Sequence, residues 1–239
     1  MDWPLKHPHP WRLSPEEAEA LQRRLASAVA PAPLDWDALT TVGGVDVGIR
    51  DERLRAAVVV LRFPTLQLLD QAVAEVPLTM PYVPGLLSFR EIPAILEALK
   101  ELRLRPDVLM VDGHGIAHPR RLGIAAHLGV VLDWPTIGVA KSILVGHPQG
   151  ALGEEAGSTV PLVDDGQVVG MGVRTRARVK PVWVSIGHRV TLDDAVQLVL
   201  RSARGYRLPE PTRLAHHLAS GKHGNDLGPL FQAGSAVLQ

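Results

Sequence analysis

Three acidic residues stand where a carboxylate is costly. Asp46 lies inside Thr41–Ile49, a run otherwise made of apolar residues, glycines and one threonine. Asp112 closes the apolar run Val108–Val111, and Glu91 opens an amphipathic segment after the loop PYVPG. An ionised carboxylate among apolar side chains is expensive unless its charge is offset. A shared divalent cation is one offset, and Asp and Glu oxygens suit Mg²⁺ or Mn²⁺. A cap, a turn or an ion pair also accounts for Glu91 or Asp112 taken singly. Asp46 resists that reading, because a strand centre disfavours Asp. The three acids meet only if the strands of Asp46 and Asp112 are neighbours in one sheet.

Other residues could complete such a site. Lys141 ends the segment GVAK, and strand ends are where α/β sheets place ligands. His114 and His118 flank the glycine-rich loop after Asp112, while His216 and His217 sit near the end of the last apolar-periodic segment. A single histidine is more often a hydrogen-bonded structural residue than a ligand. Tyr82 is held between Pro81 and Pro84. Prolines stiffen a loop, and a rigid exposed ring can stack on a base or wedge between base pairs; packing beneath the loop is the alternative. DGHG at 112–115 lacks both the Gly-Lys-Ser/Thr ending of a phosphate loop and the spacing of GxGxxG. No Gly-x-Ser-x-Gly elbow is present, which argues against a serine hydrolase.

The elements that must position these residues follow from pattern. Ser14-Pro15-Glu16-Glu17 carries a capping box, predicting a helix from there to about Val29. Thr41–Ile49, Leu54–Phe63 and Leu66–Val76 read as three strands joined by short turns, hence an antiparallel meander. Phe89–Leu102 reads as an amphipathic helix with Glu91 and Pro93 in its first turn. Val108–Val111 and Thr136–Val139 are short apolar runs expected as buried strands, with a small helix near Arg121–Leu128 between them. Val160–Arg174 reads as a hairpin turning at Asp164–Gln167, and Val182–Ile186 as a further strand. Thr191–Ser202 and Thr212–Ala219 are the last predicted helices. Strands that first meander and then alternate with helices indicate an α/β domain on a central mixed sheet flanked by helices. Residues 1–219 are expected to form that one domain, and 220–239 a Gly-rich, disordered tail.

The 239 residues are 46% hydrophobic and 21% charged, which excludes a disordered polyelectrolyte. No apolar run approaches the ~20 residues that span a bilayer, and the N-terminal stretch has no hydrophobic core of a signal peptide, so a cytoplasmic protein without a membrane partner is expected. Cysteine is absent, which excludes disulfides, thiolate metal sites and a cysteine nucleophile. Net charge is zero, but unevenly spread: residues 174–207 carry eight basic residues against Asp193 and Asp194. Such a block is either the footprint of a polyanion partner or a solvated face.

Six segments in order, GVDVGI at 44–49, PYVPGLLSFRE at 81–91, DGHGIAHPRRLGIAAHLGV at 112–130, GVAK at 138–141, SIGHRVTLDDAV at 185–196 and PEPTRLAH at 209–216, resemble the endonuclease V family, the nucleases of deaminated adenine. The resemblance implies a ribonuclease H-like fold. It implies a metal site of Asp46, Glu91 and Asp112 holding Mg²⁺ or Mn²⁺, with Lys141 and His216 as further catalytic residues. It makes Tyr82 the wedge that fills the space of a displaced base. It places Gly85, Leu87, Gly113, His118, Gly123 and Ile124 in or around a base pocket. The implied activity is cleavage of the second phosphodiester bond 3′ to hypoxanthine in DNA, leaving 3′-hydroxyl and 5′-phosphate ends; nothing in the sequence suggests more than a monomer. Two alternatives remain at this level: an inosine-specific ribonuclease, and a module that binds damaged DNA without cutting it.

Overall fold

The computed structural model describes residues 2–221, so the expected tail lies almost wholly outside the described residues. Helix α1 (Pro15–Ala26) starts at the predicted capping box, with Ser14 Oγ accepting from Glu17 N–H and the Glu17 carboxylate accepting from Ser14 N–H. It stops three residues short of Val29. Strands β1 (Thr41–Arg50), β2 (Arg53–Arg62) and β3 (Leu68–Pro77) form the expected meander. The β1–β2 turn places Asp51 and Glu52 at positive φ, the geometry that matches strand twist. The third strand starts two residues later than expected, because Leu66 has a φ of 63° and belongs to the turn.

Helix α2 (Leu87–Glu101) begins two residues before Phe89, so Glu91 and Pro93 lie beyond its first turn. Pro93 is interior and offers no N–H to the carbonyl one turn back. Strand β4 (Val108–Asp112) is followed by a glycine loop and helix α3 (Ile124–Leu132). The reading of a helix from Arg121 fails because Arg121 has a φ of 56°; Gly123 is the N-cap, and the helix runs four residues past Leu128. Strand β5 (Thr136–Ala140), the two-residue β6 (His147–Pro148), β7 (Thr159–Asp164), β8 (Gln167–Val173) and β9 (Val182–His188) complete the sheet. Helices α4 (Leu192–Arg201) and α5 (Glu210–Ala219) end the described chain, the latter starting two residues before Thr212.

All nine strands form one sheet in the order β3-β2-β1-β4-β5-β9-β8-β7-β6. Its centre, β1-β4-β5, is parallel, and every other pairing is antiparallel. One face buries Val45, Val58 and Val111 against Ile92, Ile95 and Leu99 of α2 and Leu128 of α3. The other buries Val42, Met110 and Val139 against Val196 and Val199 of α4 and Leu214 of α5. Helix α1 packs Leu21 and Leu25 outside α2 and α3. Side chains alternate between faces along a strand, so Asp46 and Asp112 share the face covered by α4 and α5. Among the described residues, no helix is long and apolar enough to cross a membrane.

Candidate active site

Parallel pairing of β1 with β4 sets Val45 opposite Val111, which brings the next residues, Asp46 and Asp112, side by side. Their side chains are 12% and 10% exposed. Lys141 follows β5, whose register with β4 sets Val139 opposite Asp112, and its Nζ donates to Asp112 Oδ2. His216 enters from α5, its Nδ1–H donating to Asp46 Oδ2 at 2.8 Å.

The glycines around Asp46 explain how α5 comes so close. Gly44 and Gly48 lie two residues either side of Asp46, on the same face. A Cβ on Gly44 would stand 1.9 Å from the Pro211 carbonyl oxygen, and one on Gly48 would stand 2.9 Å from that of Ala219. The helix backbone therefore lies directly on the strand, within reach of Asp46. One ligand atom each from Asp46, Asp112 and His216 falls within 4.8 Å of the others.

The electrostatics fit a cation site. Burial pushes the Asp112 carboxyl above its usual range, and neighbouring Asp46 adds to it, against the opposing pull of Lys141 and His216. Burial pushes Glu91 up to about 8, opposed by Arg90 and reinforced by Asp46 and Asp112. Three mostly buried carboxylates, held on converging elements, are the donor set a hard divalent cation needs. Glu91 is close enough to feel both aspartates but stands outside the tight cluster, where His216 takes the third place.

A cavity of about 210 Å³ lies beside this cluster, lined by Tyr82, Gly85, Leu87, Ser88, His114, His118, Gly123 and Ile124. Five of the six residues expected around a base pocket line it, as does Tyr82, while Gly113 lies behind Ile124, whose Cγ2 a Gly113 Cβ would meet at 2.5 Å. The volume falls below the roughly 300 Å³ at which drug-sized pockets begin, so a single flat ring suits it. Two helix N-termini converge on it: neither α2 nor α3 is capped by a side chain, and Leu87, Ser88 and Ile124 of their first turns form its wall. Such ends present unpaired N–H donors. Tyr82 is 65% exposed at the rim, with the Arg90 guanidinium 5.9 Å from its ring centroid. A larger cavity, about 680 Å³, opens behind the loop between Trp11, Met80, Phe89 and Pro93, but none of the acidic cluster lines it.

Several residues of this region left no readable signal in the sequence. The Gly85 carbonyl accepts from buried Gln22 Nε2 (3.0 Å), Arg120 Nη2 (2.9 Å) and His118 Nε2 (3.1 Å), which fixes the loop that carries Tyr82. His118 also accepts from Arg120 N–H at Nδ1, so it is a neutral support, and burial lowers it to about 4. Gln22 belongs to an ordinary amphipathic helix, and only its complete burial marks it. The basic block is partly structural. Arg207 donates to the carbonyls of Lys141 and Pro181, Arg174 to that of Gly153 and Arg204 to that of Pro64, while Arg189 pairs with Asp133. Arg176 and Lys180 remain exposed.

Carboxylates on adjacent parallel strands, a lysine and histidine on them and a small ring-sized cavity at the same end of those strands define a nuclease of ribonuclease H-like fold. A family model described as Endonuclease V matches residues 23–217. This chain belongs to the endonuclease V family, which makes it a phosphodiester hydrolase of a metal-dependent group of DNA-repair nucleases. It is 51% identical to the endonuclease V of Gloeobacter violaceus over 216 residues, 89% of this chain and 87% of that one. The crystal structure of the Streptomyces avermitilis endonuclease V superposes with a TM-score of 0.83 at 43% identity, covering 90% of this chain and 95% of the other. That of Ciona intestinalis endonuclease V, in complex with a 23mer DNA containing an inosine followed by a ribo-adenosine, gives a TM-score of 0.77 at 27% identity, with 88% and 98% covered.

Proposed function

We propose that this protein is a Mg²⁺-dependent endonuclease that extrudes hypoxanthine from DNA and cuts the second phosphodiester bond 3′ to it. The observation that carries the reading is the pairing of one acidic cluster with one ring-sized cavity at the same end of the central parallel strands. The Ciona complex with inosine-containing DNA supports the choice of lesion. Residues 1–219 act as one catalytic unit and as a monomer in this reading.

Asp46, Asp112 and Glu91 hold the cation, with Mn²⁺ able to replace Mg²⁺. When bound, the cation neutralises charge that builds on the phosphate. Lys141 Nζ, anchored by Asp112, faces the same oxygens and adds a second positive charge. A neutral His216 that donates Nδ1–H to Asp46 offers its Nε2 lone pair at a half-exposed position, and in that form takes a proton from the attacking water. Water adds to phosphorus, the P–O3′ bond breaks, and the leaving oxygen takes up a proton. The products carry a 3′-hydroxyl and a 5′-phosphate. Tyr82 fills the vacated stack, while helix-end N–H groups at Leu87 and Ile124 meet the hypoxanthine oxygen.

A nicking assay on end-labelled duplex with one inosine tests this, run with Mg²⁺ or EDTA beside adenine duplex and inosine RNA. The expected result is a Mg²⁺-dependent cut one nucleotide beyond the lesion on its 3′ side. Tight inosine-dependent binding without a cut would instead make the protein a binding module, and faster cleavage of the RNA would make it a ribonuclease.

A further inference from the structure

A chain of hydrogen bonds runs from the surface to the cavity wall. His9 Nδ1 meets the Pro10 carbonyl at 2.9 Å, His9 Nε2 meets His127 Nε2 at 2.9 Å, and His127 Nδ1 meets Ser88 Oγ at 2.9 Å. His127 is fully buried, Ser88 is 2% exposed, and Ser88 lines the cavity. Every proton in this chain is assigned by its partners. A carbonyl only accepts, so His9 carries its proton on Nδ1 and offers a lone pair at Nε2. His127 Nε2 must then carry a proton, and a neutral imidazole with its proton on Nε2 accepts at Nδ1. The Ser88 hydroxyl proton therefore points at His127. Both rings stay neutral, since burial lowers His127 to about 3 and lowers His9 as well.

From this geometry we infer that Ser88 is a specificity-determining residue whose Oγ, locked as an acceptor by His127 and His9, receives the ring N–H of the base in the cavity. The inference rests on the proposed hypoxanthine reading and names one of its contacts. Hypoxanthine carries a proton on N1 and donates to Oγ. Adenine has a bare lone pair on N1, and facing a locked acceptor it repels instead of bonding. A freely rotating serine would serve both bases, so the two histidines are the discriminating device. They act through Ser88 as positioning residues, and neither is among the cavity-lining residues.

The test compares duplexes holding 2′-deoxyinosine, 2′-deoxyadenosine or 2′-deoxynebularine, a purine that lacks the N1 proton. Single-turnover incision with Mg²⁺ and equilibrium binding in EDTA are both read. Ser88→Ala is expected to weaken inosine affinity and incision about tenfold while leaving nebularine within about twofold, the size of one hydrogen bond. His9→Ala frees the His127 tautomer and lets Ser88 rotate. Its inosine-to-adenine ratio is expected to fall about fivefold at a temperature where the variant is folded, whereas a merely structural role would lower incision of both duplexes alike. An unaltered inosine-to-nebularine ratio in Ser88→Ala overturns the acceptor assignment, and an unaltered inosine-to-adenine ratio in His9→Ala overturns the relay. If the wild-type protein itself shows no preference for inosine, the lesion reading falls and takes this inference with it.

Discussion

Two carboxylates set side by side on paired strands repel one another, and burial sharpens that repulsion at Asp112. Replacing either by its amide removes a ligand and the repulsion together while keeping the shape. Asp46→Asn and Asp112→Asn are each expected to lower incision by about a thousandfold or more, since charge neutralisation at phosphate is worth several kcal/mol. Both should still bind inosine duplex in EDTA and unfold at or above the wild-type temperature. The rise in unfolding temperature that Mg²⁺ brings to the wild type should vanish in both; full nicking by either variant would defeat the metal assignment. Tyr82 is the opposite kind of residue, exposed and packed on little besides Arg90. Tyr82→Ala should leave the unfolding temperature unchanged yet cut the preference for inosine over undamaged duplex by about tenfold, within the 1–3 kcal/mol typical of a ring stacked on a base. An intact preference would remove the wedge role.

At the scale of elements, the site depends on how closely α5 lies on β1. The Pro211 carbonyl occupies the place of a Gly44 side chain, whereas the Ala219 carbonyl only crowds that of Gly48. Gly44→Ala must therefore lift the helix, at about 1–3 kcal/mol for overpacking, and carry His216 away from Asp46. An unfolding temperature lower by about 2–12 °C is expected for a chain of this size, together with a loss of incision that excess Mg²⁺ does not restore. Gly48→Ala should show a smaller fall in both. Equal effects of the two would mean that the Gly44 contact does not set the helix position. The same elements show what could be read in advance. The meander and the buried strands followed from alternation and from apolar runs bounded by turns, whereas the Asp46–Asp112 adjacency did not, because strand order and parallel pairing are set by contacts far apart in the chain. The start of α2 was misplaced by two residues because Leu86 caps it without a polar side chain, leaving no local signal. The start of α3 was misplaced because Arg121 sits at positive φ, imposed by surrounding loop contacts rather than by residue type. Gln22 and Ser88 matter through partners 63 and 39 residues away, a separation no local pattern records.

For the whole molecule, buried titratable groups pull stability in two directions with pH. Glu91 is held at about 8 against an ordinary 4.5, so the folded protein binds a proton that the unfolded chain releases. That group stabilises the fold fully below 4.5, and the contribution disappears as pH rises through 8; Asp112 is shifted the same way. His127, near 3, and His118, near 4, behave oppositely, as do His9 and His114 with their lowered values. Below 6.5 the unfolded chain takes up protons that the folded rings resist, at about 1.4 kcal/mol per pH unit each for His127 and His118 until the folded rings themselves titrate. His127 and His118 together outweigh Glu91 and are joined by His9 and His114, so acid wins below 6.5, while Glu91 acts between 6.5 and 8. In EDTA the stability maximum should therefore lie near pH 6.5 and decline toward both sides. Saturating Mg²⁺ favours the ionised carboxylates and removes the decline on the alkaline side, moving the maximum to higher pH and leaving the acid limb in place. Urea unfolding from pH 5 to 9, with EDTA and with Mg²⁺, separates these limbs. Superimposable profiles would mean that Glu91 and Asp112 do not hold the cation, whereas a shift confined to the alkaline limb assigns the metal to them independently of any cleavage assay.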